Sequence, residues 1–166
     1  PQIELKLDTG DHSLAIDTIE QHKADIAIAI HTPDFPDHLS FIQIDKVPLV
    51  LVVPKTLQIA NIDEVKWHEH SVVMPAGGPS KRTVNQWFAE HGVKPRVYAS
   101  VSGNEAIVSM VALGLGIGFV PQIVLDNSVA KTKVTSIEVK DIEPYSLGLC
   151  FLRERENEAL MRVMID

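Results

Sequence analysis

Three polar turns hold the residue types best suited to gripping a small anion: Thr9-Gly10-Asp11, Gly77-Gly78-Pro79-Ser80 and Ser102-Gly103-Asn104. Each follows an apolar run and precedes a helical pattern. Each therefore places short polar side chains beside the unpaired N–H groups of a helix start, a good receptor for a carboxylate. In open α/β sheets, ligands gather outside the carboxyl ends of strands, where these turns fall. Taken singly, each reads better as ordinary helix capping; three in one chain raise the binding reading.

Other candidates are weaker. Leu113-Gly-Leu-Gly-Ile-Gly118 has the glycines of a dinucleotide fingerprint in the wrong place. That fingerprint needs a strand before it and a helix after it, whereas here a helix comes first. The glycines are expected to stop that helix and to provide a hinge-like bend. His68-Glu69-His70 sets two imidazoles two residues apart, but zinc asks for three or four ligands, and the seven histidines supply no further cluster. A solvated turn is expected there, and no metal. There is no G-x-S-x-G, and nothing sets a base against Ser80 or Ser102, so neither enzyme activity nor a cofactor is expected. An α/β enzyme using His31 or His70 as a base is the catalytic alternative.

Alternating strands and helices would position the turns. Residues 2–7 alternate apolar and polar as a one-faced strand does, and Asp11 or Ser13 would cap a helix to about His22. Residues 24–30 are nearly all apolar, as in a parallel strand covered on both faces. Strands are expected at 39–44 and 48–53, separated by Asp45-Lys46, then a polar turn or short helix at 61–70 and an apolar run at 71–74. Ser80 would cap a helix burying Val84, Trp87 and Phe88, with Gly92 just past its end. A strand at 96–101, a helix from about 104, a short strand at 117–120, strands at 134–139 and 147–152, and a helix at 154–165 complete the pattern. The rhythm predicts one or two mostly parallel sheets.

With 166 residues, 45% of them hydrophobic, the chain can form one domain or two small lobes. A net charge of -7 and scattered basic residues speak against nucleic-acid binding by this chain itself. The single cysteine, Cys150, sits in an apolar run and reads as a buried hydrophobe, which fits a reducing compartment. No stretch reaches the ~18 apolar residues of a membrane span. The sequence starts at Pro1 without a methionine, so targeting information is expected upstream.

The run Ser100-Val-Ser-Gly-Asn-Glu-Ala-Ile-Val-Ser-Met-Val-Ala-Leu-Gly-Leu-Gly-Ile-Gly-Phe-Val-Pro121 resembles the late signature of LysR-type transcriptional regulators, and Ala24-Asp25-Ile-Ala-Ile-Ala29 resembles an earlier strand of that family. Lys23 departs from the Gly or polar residue usual before it. The resemblance implies an α/β, two-lobed, type 2 periplasmic-binding-protein-like effector domain, N-terminally truncated. Lobe I would comprise residues 1–45 and 123–166, and lobe II residues 46–122, with a small carboxylate held between them and strand crossovers near Asp45-Lys46 and Pro121-Gln122 as the hinge. It also implies effector contacts at Thr9, Asp11, Ile30, His31, Gly78, Pro79, Ser80, Ser102, Asn104, Val120 and Pro121. Ser102 is the central hydroxyl, Val120 and Pro121 an apolar wall, and Asp11 fits if it caps its helix and points away from the carboxylate.

A narrower likeness within the family rests on residues 105–114, Val124-Leu-Asp-Asn-Ser128 and Leu147-Gly-Leu-Cys150. It implies control of branched-chain amino acid synthesis, with acetolactate or acetohydroxybutyrate as effector. The expected partners are that effector, further copies of the chain in a homodimer or tetramer, and DNA only through a helix-turn-helix preceding this sequence. No membrane partner is expected, and the location would be cytoplasmic. The resemblance also puts the first strand and helix of lobe I upstream of Pro1, so weak or absent effector binding, and self-association, are expected of this piece. A transport-type solute-binding protein of the same fold is the alternative.

Overall fold

The computed structural model describes residues 3–10 and 12–166. In chain order come α1 (His12–Glu20), β1 (Ala27–Ile30), β2 (Leu39–Val47), β3 (Leu49–Pro54), β4 (Ser71–Pro75), α2 (Gly78–Glu90), β5 (Arg96–Val101) and α3 (Asn104–Ala112). There follow β6 (Gly118–Pro121), α4 (Gln122–Asp126), β7 (Val134–Glu138), β8 (Tyr145–Leu152) and α5 (Ala159–Ile165). The chain divides into unit 1, residues 1–45 and 146–166, and unit 2, residues 46–145.

In unit 1 the strand order is β1-β8-β2, and β1 runs antiparallel to β8, with Ala27 opposite Cys150. The parallel strand expected at 24–30 is therefore shorter and antiparallel. It is covered on one face only: Ala29 packs with Ile19, Leu39 and Cys150, while Ile28 is 62% exposed. Burial, with Glu20 nearby, pushes the Cys150 thiol up to about 11, which suits a packed, unreactive side chain. Residues 3–10 form no strand despite their alternation, because among the described residues none pairs with them. The helix expected at 154–165 is a 3₁₀ turn at Arg153–Arg155 followed by α5. Arg155 pins that turn by donating to Glu158 at 2.8 Å and Asp25 at 2.7 Å, which holds the Glu158 carboxyl below its ordinary range.

Unit 2 carries an antiparallel sheet, β6-β3-β7, and a parallel pair, β4-β5. The expectation of mostly parallel sheets is thus corrected. β3 is buried from Leu49 to Val53 because it serves two cores: Leu49, Leu51 and Val53 face one, Val50 and Val52 the other. α2 closes the first core with Val84, Trp87 and Phe88, and α3 the second with Ile107, Val108 and Val111. β7 pairs with β3, and Leu125 and Val134 enter the second core, so residues 123–145 belong to unit 2. The return to unit 1 comes at residue 146, not near 123.

The glycines after α3 are explained by crowding. Gly114, at φ +79, ends the helix in the left-handed region. A Cβ on Gly116 would stand 2.7 Å from the Ser71 carbonyl oxygen, and one on Gly118 2.9 Å from that of Val73. Both glycines let Ile117 lie against β4, where it accepts from Val73 N and donates to Ser71 O.

Asp141 clamps the end of α2. It accepts from Trp87 Nε1 at 2.9 Å and lies 2.7 Å from His91 Nε2, while the His91 ring stacks on Trp87. The Trp87 hydrogen bond holds the Asp141 carboxyl below its ordinary range, with His91 adding to the effect. A carboxyl whose folded pKa is lowered stabilises the fold above its unfolded value, and that stability fades as pH falls through the folded value. Asp141 is half-exposed, so the contribution should be under about 1 kcal/mol. Urea melts of Asp141→Asn and wild type should differ at pH 7 and converge below about pH 3; a constant difference would show that charge plays no part.

Candidate functional site

The parallel pairing of β4 and β5 sets Met74 beside Ser100 and Pro75 beside Val101, and Ala76 N extends the ladder to Val101 O at 2.9 Å. The turns that leave the two strands therefore lie side by side. One is Ala76 to Ser80, opening α2; the other is Ser102 to Asn104, opening α3.

Gly78, the first residue of α2, has φ +75, and Pro79 follows it in the first turn, where its missing N–H costs nothing. Ser80 thus lies inside the first turn, and the expectation that it caps the helix is corrected: the cap is Gly77, with no side-chain hydrogen bond. Gly103, at φ +90, caps α3 without a side-chain hydrogen bond. The first N–H groups of both helices have no partner within the helix, and both carry the positive end of a helix dipole. Ser102 is exposed, and Ser80 and Asn104 are half-buried.

Two charges border the pair. Lys81 reaches back over the first turn, its Nζ donating to Ala76 O at 3.4 Å. The signal for it in the sequence is its nearness to the glycine turn. Glu105, in the first turn of α3, accepts from Ser128 Oγ at 2.6 Å and is thereby held toward α4. The result is a cation, two hydroxyls and two sets of N–H donors around adjacent turns, an arrangement suited to a carboxylate.

The remaining candidates are placed differently. Val120 is 0% exposed and packs in the second core, and Pro121 is buried, so Val120 is a core residue and not the apolar wall expected of it. Ile30 ends β1 in unit 1 and His31 follows it; His31 N donates to Ser146 O, and its ring packs on Phe35 at 4.9 Å and Phe41 at 5.1 Å. Thr9 is exposed, and Asp11 lies outside the described residues. A depression of about 500 Å³ in unit 1, between Asp37-His38 and residues 152–154, includes none of the candidates. Among the described residues, no group of three or more His, Cys, Asp or Glu is placed to hold a metal, and no helix is long and apolar enough to cross a membrane. His68 and Glu69 form a loose exposed pair at 3.7 Å.

The LysR substrate binding domain model matches residues 1–166. The chain belongs to this family. Over 168 residues it is 32% identical to the HTH-type transcriptional activator IlvY of Haemophilus influenzae, covering 98% of this chain and 58% of that protein. It is 34% identical to IlvY of Salmonella typhimurium over 169 residues, covering 97% and 57%. The LysR-family chain thus spans a little over half the length of these curated relatives. Among solved structures it is similar to the Synechocystis CcmR regulatory domain in complex with 2-PG, with TM-score 0.80, 20% identity and coverage of 98% of this chain and 80% of that one. The effector binding domain of QuiR in complex with shikimate gives TM-score 0.76 and 21% identity, covering 95% and 76%. Both support the two-lobed periplasmic-binding-protein-like fold class.

Proposed function

We propose that this chain is the effector-sensing part of a transcriptional activator, and that the paired turns of unit 2 hold the carboxylate of a small hydroxy-keto acid. The observation that carries the reading is the side-by-side placement of Gly78-Pro79-Ser80 and Ser102-Gly103-Asn104, with Lys81 beside them. Helix N–H groups and the Ser80 and Ser102 hydroxyls receive the carboxylate; each charge-assisted hydrogen bond is worth roughly 1.5–3 kcal/mol. Thr9, Asp11, Ile30, His31 and Pro121 stay in the proposal on family resemblance.

The IlvY relatives support the activator role; acetolactate or acetohydroxybutyrate as the effector, and branched-chain amino acid synthesis as the controlled process, rest on the sequence likeness at residues 105–114, 124–128 and 147–150. The whole protein would act in the cytoplasm as a homodimer or tetramer and bind DNA through a helix-turn-helix outside this chain. Effector binding switches such a protein only if it favours one conformational state, and a preference of about 1–3 kcal/mol is enough. Calorimetry with acetolactate and with acetoin, the same molecule without its carboxylate, tests the reading. Saturable binding of acetolactate alone is expected; equal binding of acetoin would overturn the carboxylate grip.

A further inference from the structure

At the opposite ends of β4 and β5 lies an open depression of about 320 Å³, within unit 2 and bearing none of the residues assigned above. Ser71 and Arg96, paired across the two strands, begin its floor. Five to six residues of strand, at about 3.3 Å each, put it roughly 17 Å from the turns that follow β4 and β5.

Its chemistry is uneven. The Arg96 guanidinium donates one long hydrogen bond, 3.4 Å to Glu69 O, out of the five N–H donors an arginine carries. His70 stands beside it at the rim, and no hydrogen bond or ion pair with another described residue occupies its ring. Glu69 turns its carboxylate toward Lys66 and His68, at 3.8 and 3.7 Å, so it does not neutralise Arg96. Pro54, Leu57 and Leu115 supply apolar surface.

We propose that this depression is a second ligand site, taking short aliphatic monocarboxylates with the carboxylate on Arg96 and the alkyl group on Leu57 and Leu115. A guanidinium offers a carboxylate two parallel hydrogen bonds, and the volume suits a chain of a few carbons. The wall from Gly114 to Gly116 is the segment that leaves α3, and Gly116 is pressed on Ser71 without room for a Cβ. An occupant would therefore touch the end of the helix whose start forms the Ser102 turn.

Isovalerate is the probe, followed by amide shifts of the isotope-labelled protein. Saturable shifts at His70, Arg96 and residues 114–116 are expected. Arg96→Gln should weaken them at least about tenfold, and Arg96→Lys, which keeps charge but loses the fork, by less. 3-Methylbutanol, with the same tail and no charge, should give none. Undiminished isovalerate binding in Arg96→Gln, or shifts confined to residues 77–81 and 102–105, would overturn the proposal.

Discussion

Phe119→Ala should lower the unfolding free energy by about 3–5 kcal/mol, the usual loss for a buried phenylalanine, and the thermal midpoint by roughly 10 °C. Phe119 is 1% exposed and sits among Trp67, Trp87 and Phe88, with ring centroids 6.3, 5.5 and 5.7 Å away. Its removal leaves a cavity lined by three large rings. Those rings are held by other contacts, including the Trp87 hydrogen bond to Asp141, so they cannot all collapse inward. Phe119→Leu should recover part of the loss by refilling the space. Chemical denaturation of the two variants measures the difference, and a loss under about 1 kcal/mol for alanine would mean the cluster is not packed as described.

Ser102→Ala should weaken acetolactate binding about 10- to 150-fold, the equivalent of one charge-assisted hydrogen bond. The serine is exposed, and among the described residues no side-chain hydrogen bond ties its hydroxyl to the fold. Its loss should therefore leave the melting temperature unchanged, and Ser102→Thr, which keeps the hydroxyl, should bind nearly as the parent does. Titration calorimetry with a parallel melt reads both effects. Unchanged affinity in Ser102→Ala would remove the hydroxyl from the grip, whereas a matching fall in stability would assign Ser102 a structural part.

The two cores of unit 2 explain which features could be read in the sequence. Val84, Trp87 and Phe88 recur at helical spacing, and β3 is apolar throughout, so both elements were legible. Strand direction was not. A run buried on both faces reads the same whether its neighbours are parallel or antiparallel, and β3 lies between two antiparallel partners. Residues 2–7 show the converse: alternation marks a chain able to pair, but pairing needs a partner, and the described residues supply none to residues 3–10.

The candidate site was legible as separate turns, since glycine and serine mark both. Their adjacency depended on the register of β4 against β5, and contacts between strands leave no trace in a single sequence. For the same reason, Val120 could be taken for a rim residue when its side chain faces the second core.

The first N–H groups of α2 and α3 lack helix partners and should exchange quickly with solvent in the unliganded protein. Hydrogen exchange resolved by residue, with acetolactate and then with acetoin, tests the account most directly. Slowed exchange at Gly78, Ser80, Lys81 and residues 103–106 with acetolactate alone is the predicted result. Protection elsewhere but not at these amides, or equal protection by acetoin, would contradict it.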